Sequence, residues 1–217
     1  MGRADGQSRR ICRPGTGFIH GAGRPRFLHA TEAVQAGVSI LGENYLQEAQ
    51  GKIDQFELPV SWHFIGHLQS KKAKPVVRLF DLVHSVDSFN LAHEISKRAA
   101  ILDKTADVLI QVNVSGEASK FGIVPEQLEP LLDRIQTLEN VRVRGLMTMP
   151  PYFDQPERVR PFFARLRERM ARVKNRRWSP NIRLEELSMG MSGDFETAIE
   201  EGATLVRVGT AIFGSRQ

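Results

Sequence analysis

From about residue 29 the chain alternates short apolar runs with amphipathic stretches, and that alternation restricts the fold more than any other feature of the sequence. The runs are VSILGEN (38–44), SWHFIGH (61–67), DLVHSVDS (81–88), DVLIQVNV (107–114), VRVRGLMT (141–148), LEELSMG (184–190) and LVRVGTAIF (205–213). Helical spacing occupies 45–56, 70–80, 89–102, 125–138, 155–175 and 194–201. In the fifth of these Phe162, Leu166, Met170 and Val173 form an apolar stripe, and arginines fill the other face, which reads as a solvated outer surface. Strict alternation of apolar strands with helices requires a parallel sheet covered by helices. The expected fold class is therefore α/β, a (β/α)8 TIM barrel. Seven strand runs are one short of that barrel, and the helical stretch 29–36 has no convincing strand ahead of it. The first strand has to come from the unusual N-terminus, where only Thr16–His20 has strand character, or be missing. An open doubly wound sheet is the alternative, but no G-x-G-x-x-G follows a first strand.

Residues 1–28 differ from the rest in kind. Six glycines, six arginines and two prolines make up half of the segment, with no sustained period, so composition predicts loop or disorder there and a barrel domain over 29–217. The same segment accounts for the net charge of +5, because its six arginines face a single aspartate, Asp5. Of 30 basic and 25 acidic residues, 24 of each sign remain in the body. A neutral body carries no bias toward nucleic acid, although the tail itself suits polyanions. No apolar run approaches the roughly 18 residues of a membrane span, and no signal peptide is evident. One cysteine, Cys12, forms no internal disulfide, which fits a cytoplasmic protein.

In such barrels function gathers at the C-terminal ends of the strands. Those ends read Gly42-Glu43-Asn44, Gly66-His67, Ser85–Ser88, Asn113–Ser115, Met147-Thr148, Met189–Ser192 and Gly209-Thr210: small, polar and mostly uncharged. Such a rim suits backbone and hydroxyl contacts to a phosphorylated ligand. Ser192 is placed to cap a helix opening in MSGDFETAI, whose free N–H groups attract an anion, and Gly209 and Thr210 offer donors from the next loop. The plain alternative is a helix cap and a turn with no ligand. Arg207 alternates with Leu205 and Gly209, so it shares their face inside the barrel. A guanidinium there needs an acceptor, either a structural carboxylate or a ligand. The histidines are scattered and no cysteine cluster exists, so no metal site is expected. Ser192 is no hydrolase nucleophile, since GMSGD departs from G-x-S-x-G.

Seven ordered motifs over about residues 30–216 carry a family resemblance. LGENYLQEA (41–49), WHFIGHLQSKKAK (62–74), VHSVDS (83–88), IQVNVSGEASKFGI (110–123), VRGLMTMP (143–150), LSMGMSGDFETAI (187–199) and VRVGTAIFG (206–214) together resemble the pyridoxal phosphate homeostasis proteins, single-domain relatives of the alanine racemase barrel. The resemblance implies a barrel that binds pyridoxal 5′-phosphate (PLP) and buffers or delivers it, as a cytoplasmic monomer whose partners include PLP-dependent apoenzymes. It implies that Ser192, Gly209 and Thr210 hold the phosphate, that Arg207 faces the pyridine nitrogen, and that Asn44 and Met189 lie against the cofactor. The family's lysine, which links covalently to PLP from the end of the first strand, falls here on Gly23. The first lysine of this chain is Lys52, and Lys71 stands on the rim after the third strand run. Binding is therefore expected to be non-covalent. The alternatives are a PLP-dependent amino-acid racemase or lyase, and a remnant that has lost binding.

Overall fold

The computed structural model describes residues 17–21 and 27–209 of the 217. Among the described residues eight strands alternate with seven α-helices: β1 (Gly17–Gly21), α1 (Phe27–Gln35), β2 (Ile40–Glu43), α2 (Leu46–Ile53), β3 (Ser61–Phe64), α3 (Ala73–Leu79), β4 (Leu82–Val86), α4 (Phe89–Ile101), β5 (Ala106–Gln111), α5 (Leu128–Ile135), β6 (Val141–Met147), α6 (Arg160–Lys174), β7 (Ile182–Met191), α7 (Phe195–Glu200) and β8 (Leu205–Val208). All pairings are parallel and the sheet closes on itself. The first strand does come from the N-terminus: Ile19 stands opposite Ile40 of β2 on one side and Arg207 of β8 on the other. β1 and the first two residues of α1 thus lie within the segment 1–28, and residues 1–16 and 22–26, Gly23 included, lie outside the described residues.

Alternation along each strand sorts the apolar residues into two cores. Val108 and Ile110 of β5 join the large core between barrel wall and helices, whereas Leu109 joins Ile65, Leu82, Met147 and Leu205 in the barrel interior. Helices cover the wall with their apolar stripes. In α6 the stripe is Phe163, Leu166 and Val173, with Phe162 and Met170 packed half-buried beside it. The arginine face of α6 does more than meet solvent. Arg160 pairs with Glu157, Glu200 and Glu201, and Arg167 also reaches Glu201, so the face ties α6 to α7. Near the N-terminal ends of β5 and β6, Asp107 receives two bonds from Arg142 (2.7 and 2.9 Å) and one from Arg144 (3.0 Å). Charge at that end of a barrel serves stability.

Two glycines shape the other end. A Cβ on Gly66 would lie 2.0 Å from the carbonyl oxygen of Asn44, so only glycine lets the exits of β2 and β3 pass so closely. Gly190 has φ +92° and would place a Cβ 2.5 Å from that of Ala198, which fixes the end of β7 against α7. No helix among the described residues is long and apolar enough to cross a membrane.

Candidate functional site

A cavity of about 350 Å³ opens at the C-terminal ends of the strands, lined by Asn44, Ile65, Tyr152, Met191, Ser192, Asp194, Arg207 and Gly209 among others. It brings together Asn44, Ser192, Arg207 and Gly209 of the residues singled out in the sequence. Thr210 lies outside the described residues. Met189 is the exception: its side chain is fully buried in the core between barrel and helices, because the pleat of β7 turns Leu187 and Met189 outward; Gly190, at φ +92°, then breaks the alternation, and Met191 lines the cavity instead. A hollow of about 390 Å³ between the end of β5 and α6, lined by Asn113, Arg165 and Arg169, lies outside the barrel wall and holds none of these residues.

The loops after β7 and β8 meet directly. The N–H of Gly209 donates to Ser192 Oγ at 3.0 Å. Ser192 is therefore not the cap of α7, as the sequence suggested. The cap position belongs to Asp194, whose carboxylate turns back to accept the N–H of Met191 at 2.6 Å. Burial raises the Asp194 carboxyl above its ordinary range, while the Met191 N–H and the Arg207 charge oppose that rise. Ser192 is set by the loop to face its neighbour, with its Oγ accepting the Gly209 N–H.

Arg207 is buried inside the barrel, and no carboxylate among the described residues bonds to it. Its Nη1 donates to Ser188 Oγ at 2.6 Å and its Nη2 to the Thr148 carbonyl at 2.8 Å. Thr148 is itself pinned, since its hydroxyl donates to the Val112 carbonyl at 2.8 Å. Burial lowers the Arg207 pKa to about 10, which leaves it a cation at neutral pH. The guanidinium has five N–H groups, so donors remain for the cavity it lines.

Below Arg207 lies a polar chain that sequence reasoning missed. Ser188 Oγ sits 2.9 Å from His84 Nδ1, and His84 Nε2 sits 3.0 Å from His63 Nδ1. Burial lowers both imidazoles, His63 to about 4 and His84 well below the usual histidine value, so both are neutral. The one available signal was a polar residue on the inward face of an apolar run. On the outer side of β2, Glu43 is buried and paired with Lys52 at 2.8 Å, and burial pushes its carboxyl up to about 7. Lys52 thus serves the barrel wall. Lys71 is exposed in the turn Ser70–Lys72 and does not line the cavity; nor does any other lysine. Among the described residues no group of three or more His, Cys, Asp or Glu could hold a metal ion.

Fold and site define the class: an alanine-racemase-type barrel, and the family model "Alanine racemase, N-terminal domain" matches residues 22–217. Closer relatives narrow this. A pyridoxal phosphate homeostasis protein of Aquifex aeolicus (strain VF5) is 48% identical over 187 residues, covering 86% of this chain and 81% of that protein. The one from Pseudomonas aeruginosa PAO1 is 47% identical over 186 residues, covering 85% and 78%. The solved structure of PipY from Synechococcus elongatus PCC7942 with PLP bound superposes with a TM-score of 0.86 at 34% identity, over 95% of this chain and 96% of that one. The chain belongs to the family of pyridoxal phosphate homeostasis proteins.

Proposed function

We propose that this chain binds PLP reversibly and without a covalent bond, in the cavity at the C-terminal ends of its strands, and so buffers the cofactor or hands it to PLP-dependent apoenzymes. The observation that carries the reading is Arg207: a buried cation held on Ser188 and Thr148, lining the cavity beside the joined loops of Ser192 and Gly209. The residues present fit the group. Ser192 and Gly209, joined across the two loops, would form the cradle of a phosphate, with Thr210 assigned to the same cradle on the family resemblance. Arg207 would meet the ring nitrogen as a donor, and Asn44 lines the same cavity. Bound PLP supplies an aldehyde and an electron-withdrawing ring. A fixed cation at the ring nitrogen disfavours its protonation, which weakens the ring as an electron sink. Racemisation needs a base on each side of the ring, and with no lysine lining the cavity the geometry favours holding over turnover. The setting proposed is a cytoplasmic monomer.

Titration with PLP, followed by visible absorbance and then by borohydride treatment and intact mass, tests this. Saturable binding with no cofactor mass fixed to the protein is expected, weakened about tenfold or more in Ser192→Ala through loss of a charge-assisted hydrogen bond. A borohydride-fixed mass on any lysine overturns the non-covalent assignment, and absence of saturable binding overturns the whole reading.

A further inference from the structure

We infer that His84 is a positioning residue for Arg207, acting through Ser188, and that a one-way chain of hydrogen bonds, donated from Arg207 toward His63, fixes how the guanidinium meets the cavity. Its meaning for the cofactor rests on the function proposed above. The direction of the chain follows from donor counting. Arg207 has only donors, so Ser188 Oγ accepts from Nη1. The single proton of the buried Ser188 hydroxyl then needs an acceptor, and its other partner is His84 Nδ1 at 2.9 Å. Were His84 Nδ1 protonated, two donors would converge on Ser188 Oγ and strand the hydroxyl proton in a fully buried site. His84 is thus protonated on Nε2, which donates to His63 Nδ1 at 3.0 Å. Neutrality of both rings, enforced by burial, is what lets each nitrogen keep its assigned role.

The chain anchors one arm of the guanidinium from beneath, while the Thr148 carbonyl anchors the other. With both terminal nitrogens committed, the guanidinium plane cannot rotate freely. The remaining N–H groups are presented to the cavity in one orientation, which is the preorganisation a ligand otherwise has to impose. His84 touches no ligand and works only through Ser188.

The full chain, labelled with 15N in histidine and arginine and without PLP, reports this directly by NMR. His84 is expected as the neutral Nε2–H tautomer, and Arg207 is expected to show separate, slowly rotating Nη signals. Those signals should collapse in Ser188→Ala and in His84→Phe, and return in His84→Gln, whose carboxamide can accept and donate with the same polarity. PLP affinity should fall about tenfold in Ser188→Ala and in His84→Phe and stay near wild type in His84→Gln, a loss typical of one hydrogen bond to a charged group. Ser188→Ala, a minor change in volume, keeps the test open should His84→Phe fail to fold. An Nδ1–H tautomer at His84, or Arg207 signals unchanged in Ser188→Ala, overturns the inference. A wild-type protein that fails to bind PLP overturns the proposed function instead, and the arginine signals still decide the positioning role.

Discussion

Replacing His63 by asparagine isolates the energetic consequence of placing a neutral imidazole inside the barrel. In the folded chain burial holds His63 near pKa 4, against 6.5 for an unperturbed histidine. Below pH 6.5 the unfolded chain takes up a proton that the folded chain refuses until about pH 4, so stability falls as pH drops through that window. At about 1.4 kcal/mol per pH unit, the gap between 6.5 and about 4 corresponds to about 3 kcal/mol. His84 acts with the same sign. Glu43 acts with the opposite sign: its folded pKa of about 7 lies above the ordinary 4.5, so the folded chain binds that proton first and gains on acidification. Glu43 is present in both proteins and drops out of their difference. Urea unfolding of wild type and His63→Asn, from about pH 7.5 down to about pH 4.5, should show wild type losing about 2–3 kcal/mol more than the variant. Parallel curves would refute the argument, and with it the neutrality of the buried histidine.

Two further substitutions probe the wall and the rim. Lys52→Met leaves the buried Glu43 without its 2.8 Å partner, and a charge-assisted bond of this kind is worth about 1.5–3 kcal/mol. Its loss raises the Glu43 folded pKa further above its wild-type value of about 7, so thermal unfolding should reveal a destabilisation that sets in near pH 7 and grows as the pH rises above it, and a pH-independent loss would count against the pair. Gly66→Ala drives a Cβ to 2.0 Å from the Asn44 carbonyl oxygen; overpacking of this sort costs about 1–3 kcal/mol. A lowered Tm together with weaker PLP binding is expected, while Gly51→Ala, with nothing within 4 Å of its Cβ, should leave both intact or raise the Tm. Equal behaviour of the two variants would remove Gly66 from the account of the rim.

What the sequence made legible follows from which interactions are local. The alternation of runs showed the barrel because each strand and helix declares its own period, and Arg207 was placed inward because its neighbours Leu205 and Gly209 share its face. The first strand was harder to see. GFIHG has a glycine at each end and lies among arginines and prolines, and what makes it a strand is the pair of open edges that β2 and β8 present to it. Ser192 suggested a helix cap because serine before such a run usually is one; the cap is decided by backbone angles, and these gave the position to Asp194. Met189 falls on the outer face of β7, whereas Met191, two positions further on, reaches the cavity because Gly190, at φ +92°, interrupts the alternation of a strand of period two. The chain from His63 to Arg207 had no local signature at all, since His84 and Ser188 are 104 residues apart. Yet each member occupies an inward position of its strand, where apolar residues such as Ile65, Leu82 and Leu205 otherwise stand. Polar residues at inward positions of separate strands cannot be solvated, so they must satisfy one another across the barrel. Assembling the inward residues of all strands into layers, instead of weighing each histidine alone, turns those scattered side chains into one predicted contact.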